Sequence, residues 1–354
     1  QMTNYPLLKS ISKMKKSLMT LGVLALFVLM AYGQEKKFAL YSVAFYNMEN
    51  LFDTIHDEGK NDYEYLPNGT NQWNTMKYKA KLKNMSEILS LLSTDKLPMG
   101  PAIIGVSEIE NYRVLEDILK QPALADRGYR YVHYEGEDQR GVDCAFFYNP
   151  KLFELTNSKL VPYVYINDTI HKTRGFLIAS GNIAGEKMHF IVNHWPSRAA
   201  ASPARERAGE QVRAIKDSLL REDSAAKIVI MGDMNDDPMD KSMAVALGAK
   251  RKPVDAGPTD LYNPWWDTLK KGYGTLMYKG KWNLFDQIVF TGNLLGTDRS
   301  TLKFYKHEIF SRDFMFQKEG KYKGYPKRTQ AGGVWLNGYS DHLPTIIYLI
   351  KEVK

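Results

Sequence analysis

The stretch Lys227-Ile-Val-Ile-Met-Gly-Asp-Met-Asn-Asp-Asp-Pro238 constrains the fold more than any other. Residues 228–231 form an apolar, β-branched run with the length and make-up of a buried strand. Gly232 ends it. Asp233 and Asn235 follow two residues apart, so in extended chain their side chains lean the same way. A carboxylate and a carboxamide at the carboxyl end of a buried strand stand where chemistry is often done. Gly, Asp, Asn and Pro are also turn formers, so this stretch alone reads equally well as a strand-end turn.

The pattern recurs. A strand over 38–46 runs into Asn47-Met-Glu49-Asn50. Another over 101–107 ends in Glu108-Ile-Glu110-Asn111. Residues 176–180 and 188–192 read as a hairpin whose second strand ends in Asn193-His194-Trp195-Pro-Ser-Arg198. A strand over 283–290 carries Asp286, and Gly338-Tyr-Ser-Asp341-His342-Leu-Pro344 precedes a last strand over 345–350. Strands over 129–134 and 142–148 flank a charged loop, which is either a plain connection or a way to bring Arg140 and Asp143 towards a cleft. Apolar periodicity predicts a helix over 76–92, and residues 114–119 and the Ala-, Arg- and Glu-rich 204–220 also read as helices. Lys77, Lys79, Lys81 and Lys83 read as a solvated face of the first, with phosphate contact as the alternative. Residues 56–70 form a polar surface loop, and 239–281 is irregular. Asn47, Glu108, His194, Asp233, Asn235, Asp286, Asp341 and His342 are each tied to a buried strand. Together they argue for one polar cleft above packed sheets.

The chain has 354 residues, room for one large domain or two small ones. Twenty-two Tyr and six Trp against a single Cys point to interfaces and clefts and exclude a disulfide framework. Cys144 lies in the apolar run 142–148 and reads as a buried core thiol. Lys13, Lys15 and Lys16 precede the mostly apolar residues 17–30, and Ala31-Tyr32-Gly33 offers small residues for cleavage. Residues 1–33 therefore read as an upstream extension and a signal peptide, with export to the periplasm or beyond. The apolar core of about 14 residues is short against the roughly 20 of a spanning helix, so no membrane anchor is expected after cleavage. Without residues 1–33 the formal charge falls from +8 to +4, compatible with a polyanionic substrate without demanding one.

The order Asn47, Ser-Glu108, Asn-His194, Gly-Asp233-Met-Asn235, Phe-Asp286-Gln-Ile-Val and Ser-Asp341-His342-Leu-Pro resembles that of the endonuclease/exonuclease/phosphatase superfamily. The pancreatic-type deoxyribonuclease is the nearest familiar shape, and the resemblance spans residues 40–350. It implies an α/β, four-layer sandwich: two mixed β-sheets packed face to face, helices outside, the site at one edge, all within one domain over 34–354. It also implies hydrolysis of a phosphate ester with a divalent metal, Mg²⁺ first, Mn²⁺ or Ca²⁺ as alternatives. By position, Glu108 is the main metal ligand, with Asn47 and Asp341 near the metal. His194 and His342 handle protons and phosphate, Asp233 and Asn235 orient water and phosphate, and Asp286 orients one His. Superfamily members often place a carboxylate on the strand before the His194 segment to orient that His. Asp143 is the candidate here. Glu49 and Glu110 are each either a ligand or a solvated acid.

The activity expected on these grounds is a secreted nuclease for DNA or RNA acting by direct water attack. Arg140, Arg198 and the basic residues Lys321, Lys323, Lys327 and Arg328 would contact backbone phosphates. Trp195, Tyr322 and Tyr325 would lie near bases or sugars. The alternative is a phosphoesterase of lipid head groups or inositol phosphates, for which Trp265-Trp266 is the one short apolar candidate for insertion. No Ser, Cys or Thr stands in a nucleophile setting, and no stable protein partner is expected.

Overall fold

The computed structural model describes residues 36–168 and 170–353. The expected signal segment, residues 1–33, lies outside them. The chain divides into two compact units, residues 1–39 with 352–354, and Leu40–Lys351. The described part of the smaller unit is exposed or half-buried chain; the larger holds every candidate site residue.

The described residues form sixteen strands. In chain order they are β1 (Lys37–Leu51), β2 (Ile103–Ile109), β3 (Arg130–His133), β4 (Asp143–Tyr148), β5 (Phe153–Val161), β6 (Phe176–Ile183), β7 (Glu186–His194) and β8 (Lys227–Asp233). There follow β9 (Leu261–Tyr262), β10 (Leu276–Tyr278), β11 (Lys281–Asn283), β12 (Asp286–Thr291), β13 (Lys303–Ile309), β14 (Gln330–Ala331), β15 (Val334–Trp335) and β16 (Thr345–Val353). One six-stranded sheet has the order β13-β16-β1-β2-β4-β3, the other β5-β6-β7-β8-β12-β9. Each is mixed: β1 runs parallel to β2 and β7 parallel to β8, while β4 and β12 are antiparallel to their partners.

Alternation along the strands sorts side chains into three cores, because successive residues face opposite sides of a sheet. Val43 and Phe45 of β1 meet Leu177, Phe190, Val229 and Met231 of the second sheet, which is the face-to-face core. Ala44 and Tyr46 point the other way, onto Met85, Ile88 and Leu89 of helix Thr75–Leu91 and Leu115 and Ile118 of helix Tyr112–Leu119. Ile228 and Ile230 of β8 pack on Ala208 and Val212 of helix Ser202–Glu222. The result is helix, sheet, sheet, helix: the expected four-layer α/β sandwich. The inner strands are buried on both faces, so they read as unbroken apolar runs. Asn74 and Asn111 cap the two helices on the first sheet with their side-chain oxygens.

Several local expectations fail for physical reasons. Strands β5 and β13 had no apolar run to announce them. Both are sheet edges and keep a mixed, half-exposed composition. The segment after Pro238, read as irregular, contains a π-helical turn Ser242–Leu247, helix Trp266–Lys270 and the β10–β11 hairpin. Trp265 is fully buried and its indole N–H donates to the Ile288 carbonyl at 2.9 Å, so the Trp pair is no membrane-inserting tip. Lys81 is not on a solvated face either: it is wholly buried, while Lys79 and Lys83 are exposed. Among the described residues no helix is long and apolar enough to cross a membrane.

Gly232 lies inside β8 rather than after it, in register with Asn193 of β7. A Cβ there would stand 2.3 Å from the Asn193 carbonyl oxygen, a backbone atom that cannot move aside cheaply. Gly232→Ala is therefore expected to part the ends of β7 and β8. It should cost about 1–3 kcal/mol, the usual range for overpacking, in a urea unfolding titration.

Candidate active site

Strand register assembles the site. His194 is paired with Asp233 across β7–β8, and Asp233 with Asp286 across β8–β12, so three functional side chains stand in one row at one sheet edge. On the facing sheet, the parallel ends of β1 and β2 supply Asn47 and Glu108. There the register shifts between Asn47 and Leu51, and the backbone turns left-handed at Glu49 (φ 45), Asn50 (φ 52) and Glu108 (φ 58). Asn235, just past β8, is left-handed as well (φ 51). Left-handed backbone at a non-glycine residue costs on the order of 1–2 kcal/mol, and such strain clusters at functional sites. Here it bends the strand ends so that Glu108 faces Asn47. His342 is held by β10, bridging to Leu276, and by the Leu343 N–H bond to the Thr275 carbonyl at 2.8 Å.

The gathered groups lie within a few ångströms. The Asn47 amide donates to Glu108 Oε1 at 3.1 Å and to Asp233 Oδ2 at 3.0 Å. Its own Oδ1 accepts from the Glu49 N–H, which fixes the amide orientation. The Asn50 N–H donates to Glu108 Oε2 at 3.0 Å. His194 Nε2 is 3.7 Å from both Glu108 Oε1 and Asp233 Oδ2. His342 Nε2 is 3.8 Å from the same Asp233 oxygen, and its Nδ1 is 2.7 Å from Asp286 Oδ2. Asp341 Oδ1 lies 4.0 Å from His342 Nε2, and its other oxygen pairs with Arg328 at 2.9 Å.

Electrostatics divides the two histidines. Burial disfavours charge on His342, but Asp286 and Asp233 outweigh it and hold the imidazole pKa well above its ordinary value. Burial, with Arg174 and Arg140 adding to it, pushes His194 well below. His194 is therefore neutral, and its buried Nδ1 has no hydrogen-bond partner. An orphaned N–H is rarer than an orphaned lone pair, so we assign the proton to Nε2, facing Glu108 and Asp233. Burial raises the Asp233 carboxyl to about 7.

Other candidates are placed differently. Asp143 does not orient His194: it accepts from the Gly136 N–H and lies 3.2 Å from His133 Nε2. Glu110 takes the Asp53 N–H at 2.7 Å, and burial with Asp53 nearby raises its pKa to about 9, so it is a neutral structural acid. Glu49 is buried and bonded to Arg328 and to the Thr329 N–H. Arg198 stacks on Phe285 and pairs with Asp236, Asp237 and Asp240, so its charge is already met. Arg140 is exposed beside Asp138. The Asn235 amide donates to the Trp195 carbonyl at 3.0 Å, and Trp195 is buried away from any base. Sequence reasoning missed Lys81. Its ammonium bonds Thr329 Oγ1 and the Tyr339 carbonyl and sits in the field of Glu49, Asp341 and Glu108. A lysine among lysines on a helix gives no signal of burial.

The sequence model of the Endonuclease/Exonuclease/phosphatase family matches residues 42–351. The chain belongs to this family. Its members are phosphoester hydrolases that depend on divalent metals. No curated protein sequence matches the chain. Among solved structures, a family protein from Bacteroides thetaiotaomicron superposes with a TM-score of 0.56 at 15% identity, covering 90% of this chain and 98% of that one. A mannosyl-6-phosphatase of Bacteroides thetaiotaomicron gives 0.54 at 15%, covering 87% and 99%. D. rerio TDP2 complexed with a single-strand DNA product gives 0.53 at 14%, covering 88% and 99%. At these identities the likeness is one of fold.

The donor set fits a divalent cation. Glu108, Asp233 and Asp341 offer hard carboxylate oxygens, which suit Mg²⁺, Mn²⁺ or Ca²⁺. Glu108 and Asp233 carry oxygens within 4.8 Å of one another, while His194 Nε2 and His342, which hold protons, flank them as donors rather than ligands. Burial is the main cause of the raised Asp233 pKa, with Asp286 and Glu108 adding to it against His342, and a nearby cation would favour the ionised carboxylate.

Asp286 should set the charge of His342. Asp286→Asn is expected to move the His342 titration to lower pH in NMR and to lower kcat on any phosphoester about 10²–10⁴-fold, with the fold retained by circular dichroism. His342 has a raised folded pKa, so its charge adds stability below the ordinary histidine range. That contribution is lost as pH climbs through the raised value, and the variant should flatten the dependence.

Proposed function

We propose that the protein is a divalent-metal-dependent phosphoester hydrolase that delivers water directly to phosphorus. The observation that carries this is Asp233 Oδ2, which lies 3.0 Å from Asn47, 3.7 Å from His194 and 3.8 Å from His342. Glu108 and Asp341 would hold the cation, which would neutralise charge on the phosphoryl oxygens. Asn47, whose NH2 group faces Glu108 and Asp233 while its oxygen accepts from the Glu49 N–H, would orient the Glu108 carboxylate rather than ligate. Asp233, raised towards neutrality by burial, takes the proton of the attacking water. Protonated His342, kept charged by Asp286, hydrogen-bonds a phosphoryl oxygen. His194 donates from Nε2 as a neutral group. Among the described residues no Ser, Thr or Cys takes part in this cluster; Cys144 is buried and its thiol pKa is raised by burial.

Nucleic acid remains the substrate class suggested by the sequence, and Lys321, Tyr322 and Lys323 are exposed beside the cleft-lining Arg328. The ion-paired state of Arg198 and Arg328 weakens that support, so nucleic acid is one arm of the test. The leader-like residues 13–33 support export, which N-terminal sequencing of the secreted protein would check.

The panel is plasmid DNA, RNA, inositol phosphates, sphingomyelin and an aryl phosphate, each with Mg²⁺ and with EDTA. Hydrolysis that needs the metal and falls about 10²-fold or more in Asp233→Asn and in His342→Ala is expected. Direct water attack requires inversion at a chiral thiophosphoryl centre. Retention would sink the mechanism, and full activity in EDTA would sink the metal.

A further inference from the structure

A cavity of about 370 Å³ adjoins the cluster. Two contacts join them: Asn50 lines the cavity while its N–H holds Glu108, and Arg328 lines it while pairing with Asp341. The outer walls come from outside both large sheets, from residues 64–73 and 322–333. The size is at the lower end of small-molecule sites, which span roughly 300–1,000 Å³. At one wall β14 and β15 are joined by Gly332-Gly333, both left-handed (φ 57 and 79), a two-residue turn that puts no side chain in the opening.

The lining carries hydrogen-bonding groups left without partners. Gln330 Oε1 is buried and bonded to nothing. The Asn50 and Asn71 amides and the Glu64 carboxylate make no side-chain bond among the described residues. The only cation in the lining, Arg328, is committed to Glu49 and Asp341. The rings are fixed: Tyr65 stacks on Phe52 at 4.1 Å and sits edge-on to Trp73. Tyr322 is half-exposed at the rim, packed against Tyr325 at 5.3 Å and with the Lys321 ammonium 5.5 Å from its ring centroid.

These features select chemistry. A second phosphate seated within the cavity, from the next nucleotide or from a multiply phosphorylated ring, would meet Glu64, while Arg328 is already paired and the Lys321 ammonium lies over the Tyr322 ring, outside the lining. A neutral ring bearing several hydroxyls meets what it needs: each hydroxyl donates to a carboxylate or amide oxygen and accepts from an amide N–H. Its C–H face suits an aromatic ring. We propose that this cavity binds the alcohol side of a phosphomonoester, a single neutral polyhydroxylated ring such as a monosaccharide. It thereby selects sugar phosphates over polynucleotides. The proposal rests on the phosphoester-hydrolase reading of the adjoining cluster. In the reaction, the water oxygen forms a new bond to phosphorus and the bond from phosphorus to the sugar oxygen breaks. That oxygen takes a proton, and free sugar and inorganic phosphate leave.

The test compares hexose 1- and 6-phosphates, p-nitrophenyl phosphate and a single-stranded oligonucleotide, all with Mg²⁺, in the wild type and in Glu64→Ala and Gln330→Ala. A hexose phosphate is expected to give the highest kcat/KM. Each variant should lower the ratio of hexose phosphate to p-nitrophenyl phosphate tenfold or more. A faster oligonucleotide, or a ratio unchanged within twofold in both variants, overturns the cavity assignment and leaves the hydrolase reading standing. If no ester is cleaved, the hydrolase reading falls, and the cavity is judged by binding alone. Free hexoses titrated against intrinsic fluorescence should then saturate, more weakly in Glu64→Ala, and the absence of saturation overturns it.

Discussion

Everything at the cleft depends on the register of β7, β8 and β12. The pairing places His194, Asp233 and Asp286 side by side, and it exists because Gly232 lets β8 approach the Asn193 carbonyl. A slip of one residue would turn all three side chains to the opposite face of the sheet. The apolar alternation behind them forbids that slip, since Val229 and Met231 must enter one core while Ile228 and Ile230 enter another. Packing that stabilises the fold and geometry that serves the site are thus the same constraint. A constellation built on strands in this way is held more tightly than one built on loops.

That rigidity carries an electrostatic cost. Glu49, Glu108, Asp233, Asp286 and Asp341 converge, three of them buried, and the cations that answer them are His342, Arg328 and Lys81. Removing Lys81 from water is expensive unless opposite charge is close, and burial lowers its pKa to about 8 despite those carboxylates. Burial likewise raises Glu49 to about 7, with Asp341 adding to it. A cluster tuned only for stability would replace such groups with apolar ones. Their retention, together with left-handed backbone at Glu108 and Asn235, is what a site poised for a cation would show.

The sequence disclosed the parts of this design that burial makes uniform. Runs such as 43–46, 103–106 and 228–231 are apolar on both faces, so their strands and the polar residues that end them were visible. The resemblance of motif order then supplied the four-layer arrangement. Edge strands β5 and β13 face solvent and lost that signature. Pairings between distant segments were hidden for a different reason. Asp143 meets His133 across β3–β4, where the family resemblance suggested His194. Arg198 is claimed by Asp237, read only as a turn former, and by Asp240, in the segment read as irregular. Lys81 looked like its exposed neighbours because helix position alone does not say which loop will cover it.

Chemistry and selection are separated in this molecule. The sheets supply Asn47, Glu108, His194, Asp233 and Asp286, while the cavity beside them takes its outer walls from segments 64–73 and 322–333. Those segments pack through Tyr65, Phe52, Trp73 and Trp335, a small aromatic cluster of their own. They can vary without disturbing the register on which catalysis rests, which is why a shared fold carries so little information about substrate. Two links nevertheless couple them to the centre: the Glu49–Arg328–Asp341 chain and the Asn50 N–H on Glu108. A ring seated in the cavity would press on those links, so its fit would be felt at the groups that face the phosphate. Binding energy from the non-reacting part of a substrate is then available to position the reacting part.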